Sequence, residues 1–116
     1  MRHRHKSKQL SHQRKRDHIV LQNLAVSLIL HEKIKTTVTR AKLLRGVVEK
    51  MVTSAKDQNL SARRSLYAQL SKSGAVQKLM EELSVRYKDR NGGYTRIIKC
   101  DNRKGDAAPL ARIEFI

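Results

Sequence analysis

Arginine and lysine dominate the residues of this chain that can do chemistry, and they are densest at its start. Residues 1–16, MRHRHKSKQLSHQRKR, hold seven Lys/Arg, three His and no acid. Guanidinium and ammonium groups at this density supply charge-assisted hydrogen bonds and counter-charge to phosphates. After Met1 the only apolar side chain of the segment is Leu10. Such a segment buries too little apolar surface to offset the entropy of ordering it. It reads as an extended basic arm, with Arg2, Arg4, Lys6, Lys8, Arg14, Lys15 and Arg16 as its cations, that orders on a polyanion.

Further along, Lys42 and Arg45 are three residues apart and share one side of a helix. Arg63 and Arg64 fall in the first turn of another, where cations oppose the helix dipole. A bound anion would offset that cost, and two solvated charges explain the pair equally well. In GGYTR, residues 92–96, Gly92 and Gly93 remove side-chain bulk so that a phosphate or base can approach the backbone. Tyr94 then offers a ring and Arg96 a forked donor. An ordinary glycine turn leading into a hairpin is the competing explanation.

Other chemistries find little support. The histidines, His3, His5, His12, His18 and His31, lack the paired Cys/His spacing of a zinc site, and neighbouring cations repel a metal ion. Cys100 has Asp101 beside it but no identifiable base. No P-loop, G-x-S-x-G or paired-carboxylate arrangement appears. Glu49, Glu81 and Glu82 read as counter-charges on helix surfaces. The expectation is a non-enzyme without metal or cofactor and without a small-molecule substrate.

The totals agree. The 116 residues suffice for one domain, and the net charge is +16, of which the arm supplies +7 and residues 17–116 the remaining +9. A small domain that is basic throughout reads as nucleic-acid binding. One cysteine permits no internal disulfide, which fits a reducing compartment. There is no apolar run of membrane-span length and no apolar stretch after the first basic residues, so a membrane partner and a secretory signal are not expected. Aromatics are scarce, at three Tyr, one Phe and no Trp, which argues against serial base stacking and for recognition through phosphates and RNA shape. A general DNA-binding protein remains a competing class, although no helix-turn-helix, zinc-finger or basic-zipper pattern is present.

The elements that position these residues follow from periodicity. Asp17 caps a helix over 17–31, with Val20, Leu21, Leu24, Leu28 and Ile29 at helical spacing. KIKTTV, 33–38, alternates as a short strand that carries Lys35. Thr39 caps a second helix reaching Lys56, whose stripe is Ala41, Leu44, Val48, Met51, Val52 and Ala55. Ser61 caps a third, with Ala62, Leu66 and Leu70 on one face, and a linker at 71–74 ends it. Val76, Leu79, Met80, Leu83 and Tyr87 mark a fourth, stopped at Asn91–Gly93. Residues 94–99 and 110–116 form a hairpin, with Ala111, Ile113 and Phe115 on one face and Arg112 and Glu114 opposite. Lys99, Arg103 and Lys104 lie at or near its loop. The expected fold is a two-layer α+β domain, order α-β-α-α-α-β-β, with helices on one face of a small sheet. The arm at 1–16 precedes a single domain at 17–116.

Taken together, these strings resemble the bacterial-type large-subunit ribosomal protein family seventeen, nearly end to end. The anchors are MRHR at 1–4, HEKIKTT at 31–37, AKLLR at 41–45 followed by Val48–Glu49, the Arg63–Arg64 pair, GGYTRIIK at 92–99, GDAAP at 105–109 and Ile113–Glu114. The resemblance implies a structural, non-enzymatic protein of translation, bound to large-subunit ribosomal RNA towards the exit-tunnel region and flanked by other large-subunit proteins. It implies a cytoplasmic place in the large subunit, or one in an organellar ribosome, and no self-association. By the same resemblance, RNA contacts fall to Arg2, His3 and Arg4, and to Lys42, Arg45, Arg63, Arg64, Gly92, Gly93, Tyr94 and Arg96. Relatives commonly carry Ser-Ser-His where Arg14, Lys15 and Arg16 stand, Pro at the place of Thr39, and Gly-Pro at Ser84–Val85. Without that Gly-Pro break, the fourth helix is expected to run on.

Overall fold

A computed structural model describes residues 14–116, with side chains from Asp17 onward. The arm contacts expected at Arg2, His3, Arg4, Lys6 and Lys8, and the side chains of Arg14, Lys15 and Arg16, lie outside the described residues. The element order is that expected: α1 (Arg14–His31), β1 (Lys33–Thr37), α2 (Val38–Ala55), α3 (Leu60–Leu70), α4, then β2 (Thr95–Lys99) and β3 (Leu110–Phe115). We number as α4 three stretches that run end to end, Ser73–Lys78, a π-helical Leu79–Leu83, and Ser84–Arg86.

The sheet has strand order β1-β3-β2 and is antiparallel throughout. Ile34 and Ile97 both face Ile113 across the central strand, and Thr95 faces Phe115. This inner face packs on α2, whose buried residues are the stripe Ala41, Leu44, Val48, Met51, Val52 and Ala55. Leu28 and Ile29 of α1, Leu66 of α3 and Leu79 of α4 complete the core. Tyr87, Tyr94 and Phe115 gather at one end, with ring centroids 5.2 Å apart for the two tyrosines and 6.1 Å for Tyr87 and Phe115.

Several boundaries differ from expectation, each for a local reason. α1 starts at Arg14, so Asp17 lies within its first turn, where its charge favours the dipole without capping. Thr37, not Thr39, caps α2: it is still extended at φ −68°, ψ 151°, and its side chain accepts from the Arg40 amide. Asn59, not Ser61, caps α3, accepting from the Ala62 amide at 2.7 Å. The expected linker at 71–74 shrinks, because Ser71 turns the chain at φ 56° and α4 begins at Ser73 with Gly74 inside it. As the missing Gly-Pro implied, α4 passes through Ser84 and Val85 without a break.

The π-helical stretch hands the Ser84 amide to the Leu79 carbonyl. The buried Met80 carbonyl is satisfied instead by the Ser84 hydroxyl at 2.5 Å and the Gln58 amide group at 2.7 Å. Gln58 thus ties the α2–α3 connection to α4.

The turn from α1 into β1 falls on Glu32, a non-glycine residue at φ 64°. That conformation costs about 1–3 kcal/mol, and its partners offset it. Arg86 of α4 donates two hydrogen bonds of 2.9 Å to the Glu32 carboxylate, and Lys78 Nζ lies 3.2 Å away. The Phe115 amide donates to the Glu32 carbonyl at 3.0 Å. One residue joins α1, α4 and both paired strands.

Gly46 and Glu32 each make these local features testable. Gly46 sits in mid-α2, exposed, and a Cβ added there would meet nothing within 4 Å. Gly46→Ala should therefore raise stability by about 0.5–1 kcal/mol, seen as a higher midpoint in urea unfolding; a lower midpoint would contradict the open helix surface. Arg86 first, then Lys78, holds the Glu32 carboxyl at about 2, below its ordinary 4.5. The stability this adds is complete above the unfolded value and is lost as pH falls from 4.5 towards 2. With 37% of the Glu32 side chain exposed, the contribution is about 1 kcal/mol after screening. Glu32→Gln should lower stability at pH 7 by that amount and flatten the acid limb of an unfolding-versus-pH curve.

Candidate nucleic-acid interface

Because all helices pack on one face, the sheet's other face is open, and period-two alternation fills it with charge. Its charged side chains lie in two cross-strand rows, Lys33–Glu114–Arg96 and Lys35–Arg112–Ile98, and a third row, Thr37–Leu110, carries no charge. Four cations share the face with one carboxylate. Arg96 Nε lies 2.7 Å from one Glu114 oxygen and Arg112 Nε 3.2 Å from the other. Arg96 first, with Arg112 and Lys33, holds the Glu114 carboxyl below its ordinary range. Lys33 and Lys35 are exposed, with no ion-pair partner among the described residues. Lys35 stands directly opposite Arg112, a like-charge pairing that is unfavourable in the free protein and that an anion laid across the face relieves.

The sequence-selected residues distribute as follows. Lys35 and Arg96 belong to this open face. Lys42 is exposed on α2, and Arg45, also on α2, pairs with Glu49 at 3.5 Å. Glu49 in turn accepts from the Thr95 hydroxyl, so it links α2 to β2 rather than standing as a free counter-charge. Arg64 is exposed and Arg63 half-buried on α3. Lys99 closes β2 at an exposed position across from Ala111. In the hairpin loop Arg103 is bidentate to Asp106, at 3.0 and 2.6 Å, and Lys104 remains exposed at the tip.

One reading is corrected. Tyr94 is 1% exposed, inside the aromatic cluster, so its ring is not offered to a base. Its hydroxyl accepts from Lys56 Nζ at 3.1 Å and lies 3.3 Å from the Thr53 hydroxyl. Lys56 also donates to the Arg90 carbonyl at 2.6 Å, fastening the segment before the two glycines to α2. Gly92 and Gly93 take φ 86° and 62°, so backbone conformation accounts for their identity. The glycine turn aims Tyr94 inward and leaves Arg96 outside.

Lys33 and Arg112 are members of the open face that the sequence reading did not select. The signal was present: Lys33 is two residues before Lys35, and Arg112 alternates with buried Ala111 and Ile113. Among the described residues no three His, Cys, Asp or Glu side chains converge to hold a metal ion, and no helix is long and apolar enough to cross a membrane.

The division between Tyr94 and Arg96 is testable. Tyr94→Phe should cost about 1 kcal/mol of stability, a typical hydrogen-bond loss, in urea unfolding while leaving nucleic-acid affinity within twofold. Arg96→Ala should do the reverse.

The family model described as ribosomal protein L17 matches residues 20–116. The large ribosomal subunit protein bL17 of Rickettsia bellii (strain OSU 85-389) is 50% identical over 116 residues, spanning 100% of this chain and 82% of the relative. Those of Rickettsia africae (strain ESF-5) and Rickettsia typhi (strain ATCC VR-144 / Wilmington) are 48% and 47% identical, each spanning 100% of this chain and 85% of the relative. A basic two-layer domain, a family match across every strand and all but the first turns of α1, and half-identity along the full chain lead to one conclusion: the chain belongs to the ribosomal protein L17 family.

Proposed function

We propose that this chain is a structural constituent of the large ribosomal subunit, acting in translation by binding and compacting large-subunit ribosomal RNA. The observation that carries the reading is the open sheet face, where Lys33, Lys35, Arg96 and Arg112 outnumber the single carboxylate of Glu114. A patch of that composition gains most from a polyanion, because each phosphate seated on it releases counterions and removes like-charge repulsion. The relatives' name, large ribosomal subunit protein, supports ribosomal RNA as that polyanion. The arm adds +7 for the same RNA. Lys42, Arg63, Arg64, Lys99 and Lys104 extend the basic surface beyond the open face. Neighbouring large-subunit proteins are the other partners, in the cytoplasm. The role needs neither catalytic residues nor a cofactor, and no self-association.

With about ten phosphates contacted, the log–log dependence of affinity on salt should have a slope of roughly −7 to −9. A double Lys35→Ala/Arg112→Ala variant should make the slope shallower by about 2, one for each lost phosphate contact. Filter binding of the full chain to large-subunit ribosomal RNA over a salt series of roughly 50 to 400 mM measures both. A parent slope near −2, or equal competition by duplex DNA, would overturn the reading.

A further inference from the structure

Among the described residues one aromatic ring faces solvent: Tyr67 of α3 is 40% exposed, whereas Tyr87, Tyr94 and Phe115 are buried. It does not stand alone. At 100° per residue, Leu60, Arg63, Arg64 and Tyr67 fall at i, i+3, i+4 and i+7, on one side of α3. The core-facing side, with Ala62, Leu66 and Leu70, centres roughly 110° round the helix at that spacing and adjoins the stripe at half-buried Arg63. Leu60, 62% exposed, and Tyr67 therefore form an apolar pair one turn either side of two guanidinium groups. Neither Arg63 nor Arg64 has an acid within ion-pair distance or a side-chain hydrogen-bond partner among the described residues. Both sit in the first turns of α3, where the helix dipole disfavours cations, and no acidic residue occupies that first turn to compensate.

We infer that this side of α3 takes an unstacked base of RNA: the base lies on the Tyr67 ring with Leu60 against its edge or sugar, while Arg63 and Arg64 hold the flanking phosphates. Three observations select RNA over a protein neighbour. The two cations are unneutralised, as a phosphate partner requires. A guanidinium beside an aromatic ring supplies both the charge and the flat surface that a splayed nucleotide uses. The stripe is also too narrow to bury the apolar area of a protein interface core, having two apolar side chains separated by charge. The inference rests on the ribosomal-RNA reading above and adds to it a specific contact of a different kind, stacking rather than phosphate neutralisation.

Those two kinds of contact respond differently to salt, and this makes the test. Three full-length variants are compared with the parent on large-subunit ribosomal RNA: Tyr67→Phe, which keeps the ring; Tyr67→Leu, which keeps apolar bulk; and Arg63→Gln/Arg64→Gln. Tyr67→Phe should bind within twofold of the parent. Tyr67→Leu should bind roughly 5- to 30-fold more weakly with the salt slope unchanged, as loss of one base stack requires. The arginine pair should make the slope shallower by about 2. Because Tyr67 lies outside the core, the unfolding midpoint of Tyr67→Leu reports that the fold is kept. If Tyr67→Leu binds like the parent, the stack is overturned while the ribosomal-RNA reading stands. Equal losses in Tyr67→Phe and Tyr67→Leu would overturn it too, and so would normal RNA binding combined with defective incorporation into subunits, which would assign the stripe to a protein neighbour. If the parent itself fails to bind, both readings fall together.

Discussion

The register of the central strand is the constraint on which the rest of this structure depends. In β3, Ala111, Ile113 and Phe115 face the helices, and Arg112 and Glu114 face out. A slip of one residue would exchange the two sets, placing a guanidinium in the core and a phenyl ring among lysines. The ladder is held at its ends by bonds from outside the strands. The Phe115 amide reaches the Glu32 carbonyl, the Val38 amide reaches the Pro109 carbonyl at 3.1 Å, and the Ile116 amide reaches the Tyr94 carbonyl at 2.9 Å. Core and cationic face are two results of one register, so that face is as firmly specified as the hydrophobic interior.

The residues that hold the register also place the helices. Glu32 receives Arg86 and Lys78 from α4, and its backbone receives β3. Glu49 receives Thr95 and Arg45, joining α2 to β2. Few acids occur in this chain, 10 against 26 Lys/Arg, and these two, with Glu114, are spent at junctions between elements. Beyond those junctions and the Arg103–Asp106 pair, the cations have no acid within ion-pair distance among the described residues.

Helical and strand periods were plain in the sequence because burial imposes them over many residues. The α2 stripe from Ala41 to Ala55 and the alternation of 110–115 are found where they were read. Helix ends were less legible, since Thr37 and Thr39, or Asn59 and Ser61, are chemically interchangeable as caps and only the backbone conformation selects between them. At the π-helical stretch Gln58 reaches the Met80 carbonyl from 22 residues away, a contact that no local pattern announces. Tyr94 misled for the opposite reason: it sits in a glycine-rich basic string, but the positive φ angles at Gly92 and Gly93 turn its ring into the core. The open face was half visible. Lys35 and Arg96 were selected one by one, whereas Lys33 and Arg112 become neighbours of them only through pairing across β3.

What matters most for function is whether the open face of the sheet meets RNA. Lysine reactivity tests it directly, by comparing acetylation of Lys33 and Lys35 in the free chain and in purified large subunits, with exposed Lys88 beyond the face as an internal reference. Strong protection of Lys33 and Lys35 in the subunit, lost when the RNA is digested, is the predicted result. Equal reactivity of these two lysines in both states would contradict it.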